Sequence, residues 1–243
     1  MIGRIPIDLH THTFMSGHAY GTIREMAQGA KERGISILGI AEHGPGIPGT
    51  CEPIYYSNLA VAPRVIYGVH MLYGCEINVL NDGTLSLKKY IDKLDYALVG
   101  IHKQCYENAG RDGNTENLLS CMRHQMVRFV SHPDDDHTPL DLECLVRGAR
   151  DMNVALEINN SSFTKPHKRL NCVENYRTML ALCRRYDVPV LVSSDAHTPE
   201  HVGRFDLAIR MLNEMAFPQE LIVNRAWEPL AAFLGLPVEL AEG

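Results

Sequence analysis

The sequence lacks several features that would place it in a common class at once. It has no run of five basic residues, and its formal net charge is −6. Affinity for nucleic acid depends largely on Lys and Arg side chains that neutralise phosphates, so a long polynucleotide is disfavoured as a partner. No apolar run reaches the roughly 18 residues of a membrane span. The N-terminal residues run directly into Pro6 and Asp8 and do not resemble a signal peptide.

The cysteines exclude two further classes. There are seven of them, they are scattered, and no Cys-x-x-Cys pair occurs. This pattern argues against a disulfide framework and against a structural zinc knuckle, and it predicts a cytoplasmic protein. No linker, low-complexity tract or long internal repeat is present. Residues 1–243, of which 45% are hydrophobic, are therefore expected to form one domain.

The sequence does contain a regular alternation of short apolar strands and helices. The predicted strands span 5–10, 36–41, 71–79, 96–101, 127–130, 154–158 and 188–192. The predicted helices span 22–33, 88–94, 114–125, 140–152, 172–186, 200–215 and 227–234, and a long loop spans 44–63. Asn114 is a predicted N-cap, residues 84–87 a predicted hairpin strand, and the last helix is expected to pack across a barrel end. The alternation predicts an α/β fold with a mostly parallel seven-stranded barrel and outer helices, like a TIM barrel.

Residues that bind metals occur at the ends of these strands. His10 and His12 lie two apart, and on a strand they would share one face with Asp8. Two imidazoles at this spacing can chelate zinc, iron, copper or nickel. Candidate ligands recur at or just past the later strand ends as His43, Glu76, His102, His132, Asp195 and His197, with His18 in the first loop. Because the carboxyl ends of barrel strands meet at one rim, we expect a metal centre there.

Other residues near these strand ends have predicted supporting roles. The sixth strand offers Glu157 and the pair Asn159-Asn160. Small residues two positions before the ligand candidates are expected to leave room for ions, namely Ala41, Gly74, Gly100 and Ser193. Lys103 and Arg204 are candidates for binding a substrate phosphate. The acidic run 134–136 is expected to form a solvated loop.

The order of these motifs resembles that of the polymerase and histidinol phosphatase (PHP) family. The motifs are His10-x-His12, His18, Glu42-His43-Gly44, Glu76, Gly100-x-His102, Ser131-His132-Pro133, Leu156-Glu157-Ile158-Asn159-Asn160 and Ser194-Asp195-Ala196-His197. The resemblance covers nearly the whole chain and is closest to compact bacterial phosphatases of the YcdX type. Glu42 departs from the Asp that is usual in the family, and we expect its side chain to face away from the ions.

The resemblance implies a fold and a metal centre. The fold would be a distorted seven-stranded (β/α)7 barrel, and the centre would hold three ions, usually zinc and sometimes manganese or iron. Glu76 would bridge two of the ions. One of these ions would be held by His10, His12 and Asp195, the other by His102 and His132, and the third ion by His18, His43 and His197.

The implied function is that of a metal-dependent phosphatase acting on a small phosphorylated molecule. Clustered divalent ions would offset substrate charge and create a metal-bound hydroxide as the nucleophile, so no Ser or Cys nucleophile is required. Two alternatives stay open. One is an amidohydrolase-like metal hydrolase, which the extra His18 and His197 disfavour. The other is a metal-storing or metal-sensing module without turnover.

Overall fold

Eight strands and seven helices form the fold in the computed structural model, which describes residues 1–237. The strands are β1 Ile7–Thr11, β2 Ile37–His43, β3 Val65–Ile66, β4 Val69–Asn78, β5 Tyr96–Gly100, β6 Val127–Val130, β7 Ala155–Asn159 and β8 Val190–Ser193. The helices are α1 Ile23–Glu32, α2 Ile54–Ser57, α3 Gly110–Met122, α4 Leu142–Met152, α5 Cys172–Tyr186, α6 Asp206–Glu214 and α7 Trp227–Leu234.

The sheet is a nearly closed barrel of parallel strands. Its order is β1-β2-β4-β5-β6-β7-β8, and each of these neighbouring pairs is parallel. The short strand β3 pairs with β4 in the antiparallel sense. The predicted fold class is therefore confirmed, and all seven predicted strands are present to within a few residues.

The lower half of the barrel interior is apolar. Its buried side chains include Ile7, Leu9, Ile37, Leu72, Leu98, Phe129, Ala155 and Leu191. Leu230 and Leu234 of α7 belong to the same cluster, so this helix covers the amino-terminal end of the barrel, as expected. Removing these side chains from water supplies the main driving force for closing the barrel.

The seam between β1 and β8 is joined by a side chain. Thr11 of β1 forms an isolated bridge with Ala196, which lies just beyond the end of β8. Below it, Asn224 Nδ2 donates hydrogen bonds to Ile7 O at 2.8 Å and to Val192 O at 2.7 Å. Asn224 Oδ1 accepts from Val192 N at 3.1 Å. The amide side chain thus takes the place of a missing strand segment.

A β-bulge in β1 changes which residues face the interior. Asp8 pairs with Leu38, but Thr11 pairs with Ile40, so β1 carries one extra residue between these pairs. Asp8 faces outward, where its Oδ2 accepts hydrogen bonds from Ser194 Oγ at 2.5 Å and Gly203 N at 2.8 Å. The expectation that Asp8 shares a face with His10 is therefore wrong, because the bulge resets the alternation between them.

Two predicted helices are wrong in extent. The segment 88–94 contains only a single 3-10 turn, Ile91–Lys93, because Tyr90 adopts a left-handed backbone with φ 66°. The segment 200–215 contains a 3-10 turn and then α6, because Gly203 at φ 69° breaks the helix. A tertiary contact accompanies this break, since the N–H of Gly203 donates to Asp8.

Three smaller features also differ from the predictions. Helix α3 begins at Gly110, so Asn114 is not its N-cap but lies buried within it, where its Oδ1 accepts from Ala109 N at 2.9 Å. The predicted hairpin strand 84–87 is reduced to one bridge between Val79 and Leu85. The β3–β4 hairpin, by contrast, was not predicted, because its turn uses Tyr67 at positive φ rather than Asn or Asp.

Candidate metal centre

The structure brings the nine predicted ligand side chains together at the carboxyl end of the barrel, around Glu76. The carboxylate of Glu76 is fully buried. Its Oε2 lies 2.9 Å from His43 Nδ1, 3.2 Å from His10 Nε2 and 3.6 Å from His12 Nε2. Its Oε1 lies 2.7 Å from His132 Nε2 and 3.2 Å from His102 Nε2. Each oxygen therefore faces a different group of imidazoles.

These short contacts are not hydrogen bonds. Neither oxygen of Glu76 has a hydrogen-bond partner among the described residues, and the same is true of His10 Nε2, His12 Nε2 and His43 Nδ1. Buried polar atoms are nearly always paired, so a group of orphaned ligand atoms in one place needs an explanation. Three sets of ligand atoms lie within 4.8 Å of one another: His12, His43 and His197; His10, His12 and Glu76; His43, Glu76 and His102. The residues present therefore fit bound cations.

A second part of the cluster lies around Asp195, His197 and His18. Asp195 Oδ1 lies 3.2 Å from His12 Nε2 and 3.4 Å from His197 Nδ1. His197 Nδ1 lies 3.0 Å from Asp195 O, and His18 Nδ1 lies 3.1 Å from Ser16 O. A carbonyl can only accept, so both Nδ1 atoms carry the proton in the neutral rings. The two Nε2 atoms, 3.2 Å apart, then face each other with lone pairs, an arrangement that a shared cation would stabilise.

Glu157 supports the cluster and does not join it as a ligand. Its Oε1 accepts from Ser193 Oγ at 2.5 Å and from His10 Nδ1 at 2.6 Å. Its Oε2 accepts from the backbone N–H of His132 at 2.6 Å. The bond to Nδ1 leaves His10 Nε2 with its lone pair directed at Glu76, as is usual for a metal-binding histidine held by a carboxylate.

Ser16 and Glu42 orient two more histidines. The hydroxyl of Ser16 donates to Glu42 Oε2 at 2.5 Å and accepts from His43 N at 3.0 Å. It also lies 3.1 Å from His12 Nδ1. Glu42 Oε1 accepts from Thr13 Oγ1 at 2.5 Å. The expectation that Glu42 faces away from the ions is confirmed, since its carboxylate anchors the loop beneath them.

The electrostatics of the cluster favour ionised carboxylates at Glu76 and Asp195 and a neutral ring at His12. Burial alone would raise the pKa of Glu76 and of Asp195, yet His10 and the other nearby histidines hold both pKa values well below their usual range. Burial, together with like charge from His43 and His197, lowers the pKa of His12 well below its ordinary value. Ionised carboxylates and neutral imidazoles are the forms that coordinate metal ions. His10 differs: burial lowers its pKa, but Glu157, Glu76 and Asp195 outweigh burial and raise that pKa well above its ordinary value, so a cation bound by His10 would displace a proton.

The small residues near the rim make room for different neighbours. A Cβ at Gly100 would lie 2.1 Å from Ser131 Oγ and 3.4 Å from His102 Cε1, so this glycine admits side chains of the centre. A Cβ at Gly74 would lie 2.7 Å from ring atoms of Tyr96. The space at Gly74 is therefore filled by an aromatic ring, and the expectation that it is left for ions is wrong.

The acidic run 134–136 is not a solvated loop. Asp134 is fully buried, its pKa is raised by burial to about 7, and Arg169 opposes this rise. Asp134 Oδ1 lies 3.6 Å from Arg169 Nη1, which itself lies 3.0 Å from His132 Nδ1. Sequence reasoning missed Arg169 because it lies far from any strand end. The signal that could have found it is the basic group 165–169 after the Asn159-Asn160 motif.

The two residues predicted to bind substrate lie on the surface. Lys103 and Arg204 are both exposed. Neither side chain forms a hydrogen bond or an ion pair within residues 1–237 of the structure. Their role in substrate binding stays a prediction.

A β/α barrel with a rim of buried histidines and carboxylates defines a class of metal-dependent hydrolases. The sequence matches the PHP domain family over residues 8–232, and the chain belongs to this family. It is 35% identical over 235 residues to a probable phosphatase of Caldicellulosiruptor saccharolyticus, covering 96% of this chain and 97% of that one. It is 38% identical over 230 residues to a probable phosphatase of Clostridium novyi, covering 94% and 93%. These relatives, together with the clustered candidate ligands, support a hydrolase enzyme.

Solved structures of similar shape agree with the fold. One is histidinol phosphate phosphatase from Lactococcus lactis in complex with zinc, L-histidinol and phosphate, with a TM-score of 0.62, 15% identity and coverage of 89% of this chain and 95% of that one. Another is a chain of archaeal ribonuclease P with mature tRNA, with a TM-score of 0.59, 19% identity and coverage of 94% and 90%. At these identities the likeness concerns the fold. None of the helices in the described part of the chain is long and apolar enough to cross a membrane.

Proposed function

We propose that this protein is a metal-dependent phosphatase that hydrolyses the phosphate ester of a small molecule at a centre of three divalent ions. The observation that supports this most is the buried Glu76 carboxylate, which contacts five imidazoles without forming a hydrogen bond. The relatives named as probable phosphatases support the same activity. The Lactococcus lactis relative in fold was solved with zinc and phosphate.

The ligands proposed for the three ions lie around the two oxygens of Glu76 and around the side chain of Asp195. Glu76 would bridge two ions, since its oxygens face separate groups of histidines. The ligands proposed for the three ions are His10, His12 and Asp195; His102 and His132; and His18, His43 and His197. His43 is the residue whose position fits its proposed ion least well. Its Nδ1 lies 2.9 Å from Glu76 Oε2, so it is placed to serve a Glu76-bound ion as well as the third one.

The donor chemistry favours zinc, with manganese or iron as alternatives. Imidazoles outnumber carboxylates in this cluster, and zinc combines readily with both ligand types. Bound divalent ions would supply positive charge for the phosphate oxygens and lower the pKa of a coordinated water towards about 7.

The chain's own residues would orient the ligands and leave one side open to substrate. Glu157 and Ser16 hold His10 and His12 by their Nδ1 atoms, so that both Nε2 atoms are directed into the centre. His18 is exposed, whereas His10 and His12 are fully buried. A substrate would therefore approach from the side of His18. The long loop after β2 lies against this side, since Cys51 N donates to Met15 O at 2.8 Å.

The substrate is proposed to be small and the protein to act in the cytoplasm. A net charge of −6 without a basic run disfavours a polynucleotide. A positive metal cluster within an acidic protein suits a compact phosphate dianion.

The activity can be tested on purified protein loaded with zinc, manganese or iron, beside protein stripped by a chelator. We expect metal-dependent hydrolysis of p-nitrophenyl phosphate, and a metabolite-library screen with the same metals would then identify the natural substrate. Amide and lactone substrates test the amidohydrolase alternative, and single-stranded DNA and RNA test a nuclease. Hydrolysis of an amide, a lactone or nucleic acid faster than of the phosphate ester would contradict the proposal. Tight metal binding without any turnover would favour the storage or sensing alternative.

A further inference from the structure

We infer that Arg169 binds the phosphoryl group of the substrate and that Asp134 holds its guanidinium in position. This inference rests on the proposed phosphatase function and adds a specific substrate-binding residue to it. Lys103 and Arg204 stay candidates for binding substrate. Arg169 is a further cationic side chain, and it contacts one of the proposed metal ligands, His132.

The backbone around Arg169 is anchored beside the centre. Leu170 N donates to Asp135 Oδ1 at 2.9 Å, and Asn171 Nδ2 donates to Asp136 Oδ2 at 2.6 Å. Arg169 N itself donates to Lys165 O at 2.9 Å. The segment is thus tied to the acidic run that follows His132, and the side chain of Arg169 is 19% exposed. This preorganisation lowers the entropy lost when the side chain binds a ligand.

The contact between Arg169 and His132 is incompatible with His132 as a neutral metal ligand. Arg169 Nη1 donates to His132 Nδ1 at 3.0 Å, which requires a lone pair on Nδ1. A neutral imidazole has one protonated nitrogen. If His132 Nε2 binds an ion, Nδ1 must carry the proton and can no longer accept from Arg169. The guanidinium therefore needs another acceptor once the centre is loaded.

Asp134 supplies one such acceptor but leaves the guanidinium unsaturated. Its oxygens are buried, lack hydrogen bonds to the described residues and approach Arg169 Nη1 to 3.6 Å. A guanidinium has five N–H donors in a rigid fork. Among the described residues, only Nη1 of Arg169 has a polar contact at hydrogen-bond distance, with His132. The remaining donors match the paired oxygens of a phosphate group, which arginine binds in a bidentate manner.

The position of Arg169 also suits a phosphate bound by the ions. His132 Nε2 lies 2.7 Å from Glu76 Oε1, so the opposite side of the same ring contacts Arg169. An anion held beside His132 would therefore have divalent cations on one side and a guanidinium on another. Lys103 and Arg204 have no comparable contact with a ligand residue within the structure as described.

The test uses the full-length, metal-loaded protein and the variants Arg169→Met, Arg169→Lys and Lys168→Met. Lys168 is the matched control, because it lies on the same segment and its side chain is exposed. The measurements are the affinity for inorganic phosphate by calorimetry, the separate KM and kcat for p-nitrophenyl phosphate, and the metal content of each variant. Phosphate affinity provides a readout that does not depend on turnover.

We expect Arg169→Met to weaken phosphate binding by about 10- to 100-fold, the range for losing hydrogen bonds to a charged group. KM should rise by a similar factor while metal content stays at the wild-type level. The phosphate affinity of Arg169→Lys should lie between those of the wild type and Arg169→Met, since lysine keeps the positive charge but lacks the forked guanidinium. Lys168→Met should remain within about twofold of wild type, because it removes only a solvent-screened surface charge.

Unchanged phosphate affinity and KM in Arg169→Met would overturn the inference. If that variant lost its metal or its fold, Arg169→Lys would decide, because a wild-type phosphate affinity in it would also overturn a bidentate role. A wild-type protein that binds phosphate through Arg169 but hydrolyses no phosphate ester would instead refute the proposed function. The two failures are therefore distinguishable.

Discussion

The two halves of the barrel interior use the same strands in opposite ways. Along β4, the inward positions Leu72, Gly74 and Glu76 run from the apolar core through a gap to a buried carboxylate. The ring of Tyr96 fills that gap, and its hydroxyl donates to Leu9 O at 2.6 Å. Below Tyr96 the interior is closed by apolar contacts, and above it the ligand atoms of the rim are orphaned.

This difference separates the part of the barrel interior that stabilises the fold from the part that holds the candidate metal ligands. The lower half is stabilised by removing apolar surface from water, and this stabilisation does not depend on bound cations. The upper half buries ionised carboxylates and imidazole lone pairs, which is costly unless cations satisfy them. We therefore expect changes in the lower half to alter the free energy of unfolding, and changes at the rim to alter metal binding.

The largest effect is expected from Glu76→Gln. Gln keeps the shape but removes a charge that would serve two cations, so both ions should be held less tightly and repel each other more. We expect metal affinity to fall by more than the 10- to 100-fold that is typical of losing a supporting residue. Elemental analysis and phosphatase rates at saturating metal provide the measurement. A variant with wild-type metal content and turnover would contradict the bridging role, and Asp195 would then be the next candidate.

Glu157→Gln should have a smaller effect on the same property. Its amide would replace one carboxylate oxygen by an N–H donor, either the oxygen that accepts from His10 and Ser193 or the oxygen that accepts from the His132 backbone. We expect metal affinity to fall by roughly 10- to 100-fold, with the metal content restored when excess metal is supplied. Competition with a chromogenic chelator measures this affinity. An affinity equal to that of the wild type would show that Glu157 does not orient His10.

Asn224→Ala should affect the lower half alone. It would leave Ile7 O and both backbone polar groups of Val192 without their partner at the seam. We expect a loss of about 1–3 kcal/mol in the free energy of unfolding. Denaturant unfolding of the metal-free variant measures this loss. The matched control is Asn58→Ala at an exposed position, which should change stability by less than about 0.5 kcal/mol.

The comparison of the two halves would fail if Asn224→Ala lowered the metal content as much as it lowered stability. In that case the seam and the rim would form one cooperative unit. A loss of stability at unchanged metal content would separate them.

His18→Asn is expected to lower the metal content by less than Glu76→Gln does. His18 is exposed, and its ring contacts His43 and His197 at the edge of the cluster, with centroid distances of 4.9 Å to each. We expect the loss of the third ion alone, with reduced but measurable turnover from the two remaining ions. Metal counts on this variant and on Glu76→Gln, prepared side by side, test the order. A greater metal loss in His18→Asn would reverse the proposed roles.

Much of the fold and of the candidate site followed from local patterns. The period of two in each strand and the apolar stripes of the helices predicted the barrel, and the strand ends indicated which residues would meet at the rim. The outward orientation of Glu42 followed from its position next to His43. Apolar periodicity predicts helices over 88–94 and 200–215 that are too long, because it does not reveal the left-handed backbone of Tyr90 or the break at Gly203.

The sequence by itself determined where the strands and helices lie along the chain and which candidate ligands follow each strand. It could do so because alternation and helical periodicity are properties of neighbouring residues. Only the tertiary structure decided that Asp8 turns away at the bulge, that Tyr96 fills the space at Gly74, and that Asn224 closes the seam. The physical reason is separation along the chain. The hydrogen bond from Tyr96 to Leu9 spans 87 positions, and the bond from Asn224 to Ile7 spans 217. The burial of Asp134 against Arg169 likewise arises from packing between distant segments, which no local pattern encodes.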